Sequence, residues 1–230
     1  MSYKLIKKDE LDIYLKELTK IIRKNNRKND VSYEIILVGG ASILVNYSFR
    51  MSTSDVDCID VNNILMNDAI NVVAEKYSLP YDWINTDFKI TKSYSDKLVN
   101  YSTFYKSFGN GTLIIRTIKD EYLIAMKLVS GRKYKNDLSD IIGIINEINK
   151  NRVITLGEIE KAVIELYGDL EKVNNDAYQL LKDFLSKNNV DYNYIYKLEE
   201  KNKNKLLNIE ENQEILLSDD NIDYILEKIK

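Results

Sequence analysis

The chain has 230 residues, 44% of them hydrophobic and 30% charged, with 33 Lys+Arg against 36 Asp+Glu; that length makes one compact domain or two small ones at roughly 100–200 residues each. There is no histidine and a single cysteine, Cys58. This excludes Ser-His-Asp and Cys-His nucleophiles and zinc sites built on His or paired Cys, so any metal would be a hard cation held by oxygens, such as magnesium. A net charge of −3 excludes a strongly basic, nucleic-acid-coating protein but leaves room for a local basic groove.

The elements follow in chain order. Residues 9–24 form an amphipathic helix, with Leu11, Leu15, Leu18 and Ile22 on its apolar face and acidic residues at its start, as the macrodipole favours. Residues 25–30 form a loop. Glu34-Ile-Ile-Leu-Val38 is a short apolar run broken by Gly39-Gly40, which predicts a buried strand entering a turn, and 41–47 then reads as helix. A second strand spans 56–61, with Asp55, Asp57 and Asp60 around it, and completes a βαβ-like unit. Residues 64–77 form a helix with Ile64, Ala69, Val72, Val73 and Tyr77 as its apolar members. The stretch 98–118 reads as a hairpin turned at Asn110-Gly111. A helix over 120–131 follows, and from 136 onward the pattern is helical. Thr155 and Glu158 stand at capping-box spacing for a helix ending near Gly168, with further helices at about 174–187, 192–206 and 219–229. The expected architecture is α+β: a mixed sheet with flanking helices over 1–130, then an all-helical half over 131–230. No apolar run reaches the roughly 18–20 residues of a membrane span, and residues 1–8 lack a signal-peptide core. The expectation is a soluble, cytoplasmic protein with no membrane partner.

The chemistry gathers in Val38-Gly39-Gly40-Ala41-Ser42 and Ser52-Thr53-Ser54-Asp55-Val56-Asp57. Two glycines after a strand let a ligand approach the backbone, and the following helix offers its N–H groups to an anion. Aspartates at i and i+2 of a strand share a face and can reach one divalent cation. Taken singly, a Gly-Gly pair is a tight turn and an Asp-x-Asp pair a solvated strand end. Together they form a phosphate cradle beside a metal platform, which is what phosphoryl or nucleotidyl transfer requires.

Val38-Gly39-Gly40 followed by Asp55-Val56-Asp57 resembles the signature of the polymerase-β-like nucleotidyltransferase superfamily. The block Arg50-Met-Ser-Thr-Ser-Asp-Val-Asp57 is similar to that of bacterial nucleotidyltransferases related to AbiEii-type toxins. Asp82-Trp83-Ile84-Asn85, the Lys127-bearing stretch 121–128 and Asp137-Leu-Ser-Asp140 are similar to later elements of that group, and the likeness covers about residues 10–145. It implies that Gly39, Gly40 and Ser42 hold nucleotide phosphates and that Asp55 and Asp57 bind Mg2+. It further implies that Lys127 reaches a triphosphate oxygen, that Asp137 or Asp140 completes the acidic set, and that Arg50 holds a phosphate or braces the Asp strand. The implied activity is transfer of NMP from an NTP to an acceptor hydroxyl, the acceptor being RNA such as tRNA in a toxin–antitoxin or phage-defence setting, with an antitoxin partner; protein and small-molecule acceptors such as an aminoglycoside stay open. Many relatives carry a third carboxylate on a later strand. The corresponding stretch here, 112–118, has Arg116 but no acid, leaving Asp87 or Asp137 as stand-in. The alternative is a catalytically inactive protein of this fold that binds a nucleotide or a partner.

Other residues read more plainly. Trp83 reads as a core anchor ahead of a base-stacking platform, Cys58 as a small buried hydrophobe, and Lys127 as either a surface residue or a phosphate contact. Arg132, Lys133 and Lys135 make intrahelical ion pairs with Asp137 and Asp140, and Lys201 to Lys205 is a solvated helix face. With an RNA acceptor, that run and the basic stretch Arg23 to Lys28 are the places for contact.

Overall fold

The computed structural model describes residues 4–25, 32–59, 64–187, 190–213 and 221–228. The expected loop at 26–30, Asp60 and Val61, and residues 219, 220 and 229 of the last helix lie outside these.

Five strands form one mixed sheet in the order β3-β2-β1-β5-β4. β1 (Tyr33–Leu37) lies at its centre, antiparallel to β2 (Val56–Ile59) and parallel to β5 (Leu113–Ile118). β3 (Ile84–Asn85) runs parallel to β2, and β4 (Ser102–Phe108) is antiparallel to β5. The antiparallel β1–β2 pair corrects the βαβ reading. α2 (Gly39–Asn46) is only eight residues long, and the chain turns back through 47–55 instead of crossing over the sheet.

Strand alternation divides the core in two. Ile35, Leu37, Val56, Cys58, Leu113 and Ile115 face α1 (Lys8–Asn25) and α3 (Ile64–Tyr77). Ile36, Ile59 and Ile118 face α4 (Asp120–Ser130), α5 (Asp137–Ile148), α6 (Leu156–Tyr167) and α7 (Asn175–Lys187). Because Val56 and Cys58 point to the α1/α3 side, Asp57 points to the α4 side. α8 (Tyr192–Gln213) lies on α5, and α9 (Ile222–Lys228) joins Leu206 and Tyr134 in a small third cluster.

Most expected elements are present. Leu11, Leu15, Leu18 and Ile22 are buried on α1, and Thr155 and Glu158 form a reciprocal capping box at the start of α6. The hairpin is shorter than expected: residues Asp96–Tyr101 form a 3-10 helix and the strand starts at Ser102. Its turn takes four residues, with Gly109, Asn110 and Gly111 at positive φ. α2 starts at Gly39, two residues early, and α8 extends to Gln213. On α3, Met66, Ala69, Ile70, Val73 and Ala74 are buried, whereas Val72 is exposed.

Trp83 is 1% exposed, packs edge-on to Tyr14 and donates its Nε1–H to the Ile70 carbonyl at 3.2 Å, joining β3, α1 and α3. Cys58 is buried. Replacing the indole by a methyl leaves a cavity and removes the hydrogen bond that ties it to α3, so Trp83→Ala is expected to lower unfolding stability by about 3–5 kcal/mol in urea denaturation.

Candidate active site

β1 ends at Leu37 and the chain enters α2 at Gly39, whose φ of +51° suits glycine. A Cβ on Gly39 would lie 3.5 Å from Asp57 Oδ2, so the glycine turn and the aspartate of the neighbouring strand face each other closely. Gly40 has a different constraint: a Cβ there would lie 2.8 Å from both Arg50 Nη2 and Thr53 Oγ1. The 50–55 loop is therefore packed onto the glycine turn. It is pinned from behind by the paired backbones of Ile6 and Thr53. α2 starts without a side-chain cap, at glycines that line a cleft.

That cleft has a volume of about 550 Å3, within the usual range of small-molecule sites. Gly39, Gly40, Asp55 and Asp57 form one end. Asp87, Phe88 and Ile90 of the 3-10 helix Asp87–Ile90 form a second wall. Leu123, Met126 and Lys127 of α4, the loop residues Arg132, Tyr134, Lys135 and Asn136, and Lys203 of α8 complete it. Asp55 lies in the bend before β2, Asp57 within the strand. β3 sets Asn85 beside Asp57, and the Asn85 side chain accepts the Asp87 N–H at 2.9 Å, so Asp87 enters the cleft two residues after the strand. Burial, together with the negative charge of Asp55, pushes the Asp57 carboxyl up to about 6, and Asp87 adds to the effect.

Lys127 and the acids of α5 form a buried network. Lys127 Nζ lies 2.7 Å from Asp137 Oδ1 and 2.9 Å from Asp140 Oδ2. Arg132 Nε donates to Asp137 Oδ2 at 2.9 Å, and Arg50 Nη1 donates to Asp140 Oδ2 at 2.7 Å. Burial opposes ionisation of Asp137, yet Lys127 and Arg132 hold its carboxyl well below the usual range. These pairs link separate segments, unlike the intrahelical pairs expected. Lys133 instead meets Asp176 on α7, and Lys135 stands over the Tyr134 ring.

Gly39, Gly40, Arg50, Asp55, Asp57, Lys127 and Asp137 thus line one cleft. Ser42 does not: it is fully buried, and its Oγ accepts the Ile118 N–H, joining α2 to β5. Asp140 lies behind the wall, holding Arg50 and Lys127. Arg116 is directed at Ser102, bonding both its hydroxyl and its carbonyl.

Sequence reasoning missed Glu199. It is 1% exposed and accepts the N–H groups of Leu138 and Ser139, capping α5 from α8. Burial pushes its carboxyl up to about 7, against the pull of those hydrogen bonds. One turn on, Asn202 donates to the Lys133 carbonyl, and the next residue, Lys203, lines the cleft. The readable signal is an acid within the apolar stripe Ile195, Glu199, Asn202, Leu206.

Residues 14–174 match the family described as nucleotidyltransferase of unknown function (DUF6036). The chain belongs to this family. No curated protein and no solved structure matches it. The DUF6036 match takes in the glycine turn, the aspartate pair, Asp87 and the Lys127 network, and ends before α7. No helix among the described residues is long and apolar enough to cross a membrane.

Asp57 holds its proton more tightly in the folded chain than in the unfolded one. Its contribution to stability is therefore full below about pH 4 and is lost as pH rises through about 6. In metal-free protein, the Asp57 carboxyl carbon is expected to titrate by NMR with a midpoint near 6, and Asp55→Asn is expected to lower that midpoint. A midpoint at or below 4 would mean that burial and the Asp55 charge do not outweigh the pull of Lys127 and Arg132.

Proposed function

We propose that this protein is a divalent-metal-dependent nucleotidyltransferase that moves NMP from an NTP to an acceptor hydroxyl. The observation that carries this reading is the Asp55/Asp57 pair facing the Gly39-Gly40 turn across one cleft, with Asp57 close to where a Gly39 side chain would be. Among the described residues no group of three acids converges as a closed metal cage. A pair of carboxylates with positions left for phosphate oxygens and water suits magnesium, which usually takes one or two protein carboxylates alongside substrate phosphates. The raised proton affinity of Asp57 fits a site that accepts a cation in place of a proton. Held by Asp55 and Asp57, Mg2+ would neutralise charge on the transferring phosphoryl group and help orient the incoming oxygen.

The chain's own groups take the remaining roles. The N-terminus of α2 at Gly39 and Gly40 receives phosphate oxygens through the backbone. The acceptor oxygen forms a bond to the α-phosphorus, the bond from that phosphorus to the bridging oxygen breaks, and pyrophosphate leaves. Asp87 is the residue best suited to take the hydroxyl proton, being exposed to the cleft and beside the aspartate pair. Asp137 is a poor base, since both its oxygens accept from cations. We assign Asp137 and Asp140 to holding Lys127, Arg132 and Arg50 in the wall, while exposed Lys135 and Lys203 meet the departing phosphates.

The likeness of Arg50 to Asp57 to AbiEii-type toxins supports RNA, including tRNA, as acceptor, and with it a toxin–antitoxin or phage-defence setting and an antitoxin partner. The alternative, nucleotide binding without turnover, draws on β5, which has Arg116 but no acid where many relatives have a carboxylate on a later strand; Asp87 in the cleft weighs against it. With α-labelled NTPs and Mg2+, the wild-type chain is expected to label one acceptor class in a bacterial extract. Asp55→Asn/Asp57→Asn is expected to lose at least 100-fold of that transfer while unfolding at an unchanged or higher denaturant concentration. Full transfer by the double variant would remove the mechanism, and magnesium-dependent NTP binding without labelling would favour the binding protein.

A further inference from the structure

A second, smaller cavity of about 220 Å3 adjoins the cleft and shares Thr91, Ser130, Arg132 and Tyr134 with its wall. What it does not share is informative. Gly39, Gly40, Asp55 and Asp57 are absent from its lining, and so, among the described residues, is every carboxylate. Instead it is flanked by Lys92, from the turn after the Asp87–Ile90 helix, and Lys172, from the turn before α7. Both lysines are exposed, and neither has a carboxylate within ion-pair distance among the described residues, whereas the neighbouring Lys133 is taken up by Asp176 at 2.5 Å. Two cations from distant parts of the chain thus meet at one concavity beside Arg132, with no carboxylate among the described residues of its wall. Such a place attracts an anion.

The path into this annex is set by one short segment. Asp87 stands in the cleft next to the aspartate pair. Ile90, 90% exposed, forms its apolar lip, Thr91 lines both cavities, and Lys92 lines the annex. A ligand following this segment has a polar end at Asp87, an apolar middle at Ile90 and an anionic end at Lys92. The nucleotide's own phosphates belong at the opposite end, beside Gly39, Gly40 and the aspartates.

We propose that the annex is an acceptor subsite for a phosphate group. The acceptor is then a phosphorylated molecule whose attacking hydroxyl lies at Asp87 and whose phosphate is held between Lys92 and Lys172. This rests on the reading of the main cleft as the NTP site. The phosphate ester is the shared chemistry of two sources, an oligonucleotide strand and a small sugar phosphate, and the test separates them.

The test measures binding of a fluorescein-labelled ten-residue oligoribonucleotide by anisotropy and of ribose 5-phosphate by calorimetry, to wild type and to Lys92→Glu/Lys172→Glu. Magnesium-dependent binding of a fluorescent NTP analogue is followed in parallel. The charge reversal is expected to weaken at least one phosphate probe tenfold or more and leave NTP analogue binding within twofold. For the oligoribonucleotide, the salt dependence is expected to lessen by about 0.7 in log–log slope for each phosphate no longer neutralised. Loss confined to the oligoribonucleotide identifies a strand as acceptor, and loss confined to ribose 5-phosphate identifies a small phosphorylated one. Binding of both probes within twofold of wild type, or no binding of either by wild type, overturns the subsite. Unchanged magnesium-dependent NTP binding in Asp55→Asn/Asp57→Asn overturns the cleft reading itself, and is seen independently of the lysine variant.

Discussion

The Lys127 ammonium group is buried between two buried carboxylates, and the arrangement of the cleft depends on it. Removing three charged groups from water costs several kcal/mol each unless every one is paired. Here each is paired more than once: Asp137 also accepts from Arg132, and Asp140 from Arg50. The partners come from separate segments. Lys127 is on α4, both acids are in the first turn of α5, Arg132 is in the connection between them, and Arg50 is in the loop that leads to the aspartate pair. The network therefore fixes the start of α5 and the wall of the cleft against the loop that packs onto Gly40. Glu199 adds the last tie, holding the same first turn of α5 from α8 and bringing Lys203 to the rim.

The sheet supplies the other half of the site by simple alternation. With Val56 and Cys58 committed to the core under α1 and α3, Asp57 has to face α4. The antiparallel return of β2 beside β1 then brings Asp57 opposite the turn at the end of β1, where the positive φ of Gly39 favours glycine. The parallel pairing of β3 with β2 delivers Asp87 to the same place from a third direction. Three acids and a glycine turn are gathered by the ends of three adjacent strands, while the cations come from the helical side.

Much of this is legible in the sequence where the signal is local. The Asp55-x-Asp57 and Gly39-Gly40 spacings, the Thr155/Glu158 cap and the apolar periodicity of α1 each state their own structure within a few residues. Strand direction is not local: a strand, a short helix and a second strand read alike whether the chain crosses over or doubles back, so the pattern alone gives the wrong sense for β1–β2. Residues 98–101 have strand-like composition, but Ser95 and Leu98 are drawn into packing with α6 and the helical core, and a 3-10 helix results. Lys127 shows how little a single residue states about its surroundings. In sequence it is a lysine on a helix, a surface residue or a ligand for phosphate; its two partners are 10 and 13 positions away, and only the fold shows that its charge is taken up inside the protein. Ser42 reads as part of a phosphate loop for the same reason, although its hydroxyl is turned to the backbone of β5.

We propose that Lys127 acts as a structural cation, its charge satisfied by Asp137 and Asp140, and that the shape of the cleft follows from that role. The direct measurement is urea unfolding of Lys127→Met, a substitution that keeps the length and apolar stem of the side chain while leaving two buried carboxylates short of a partner. A loss of about 3–5 kcal/mol is the predicted result. A variant as stable as wild type that had lost only its affinity for NTP would contradict it, and would return Lys127 to the role of a phosphate ligand in an open cleft.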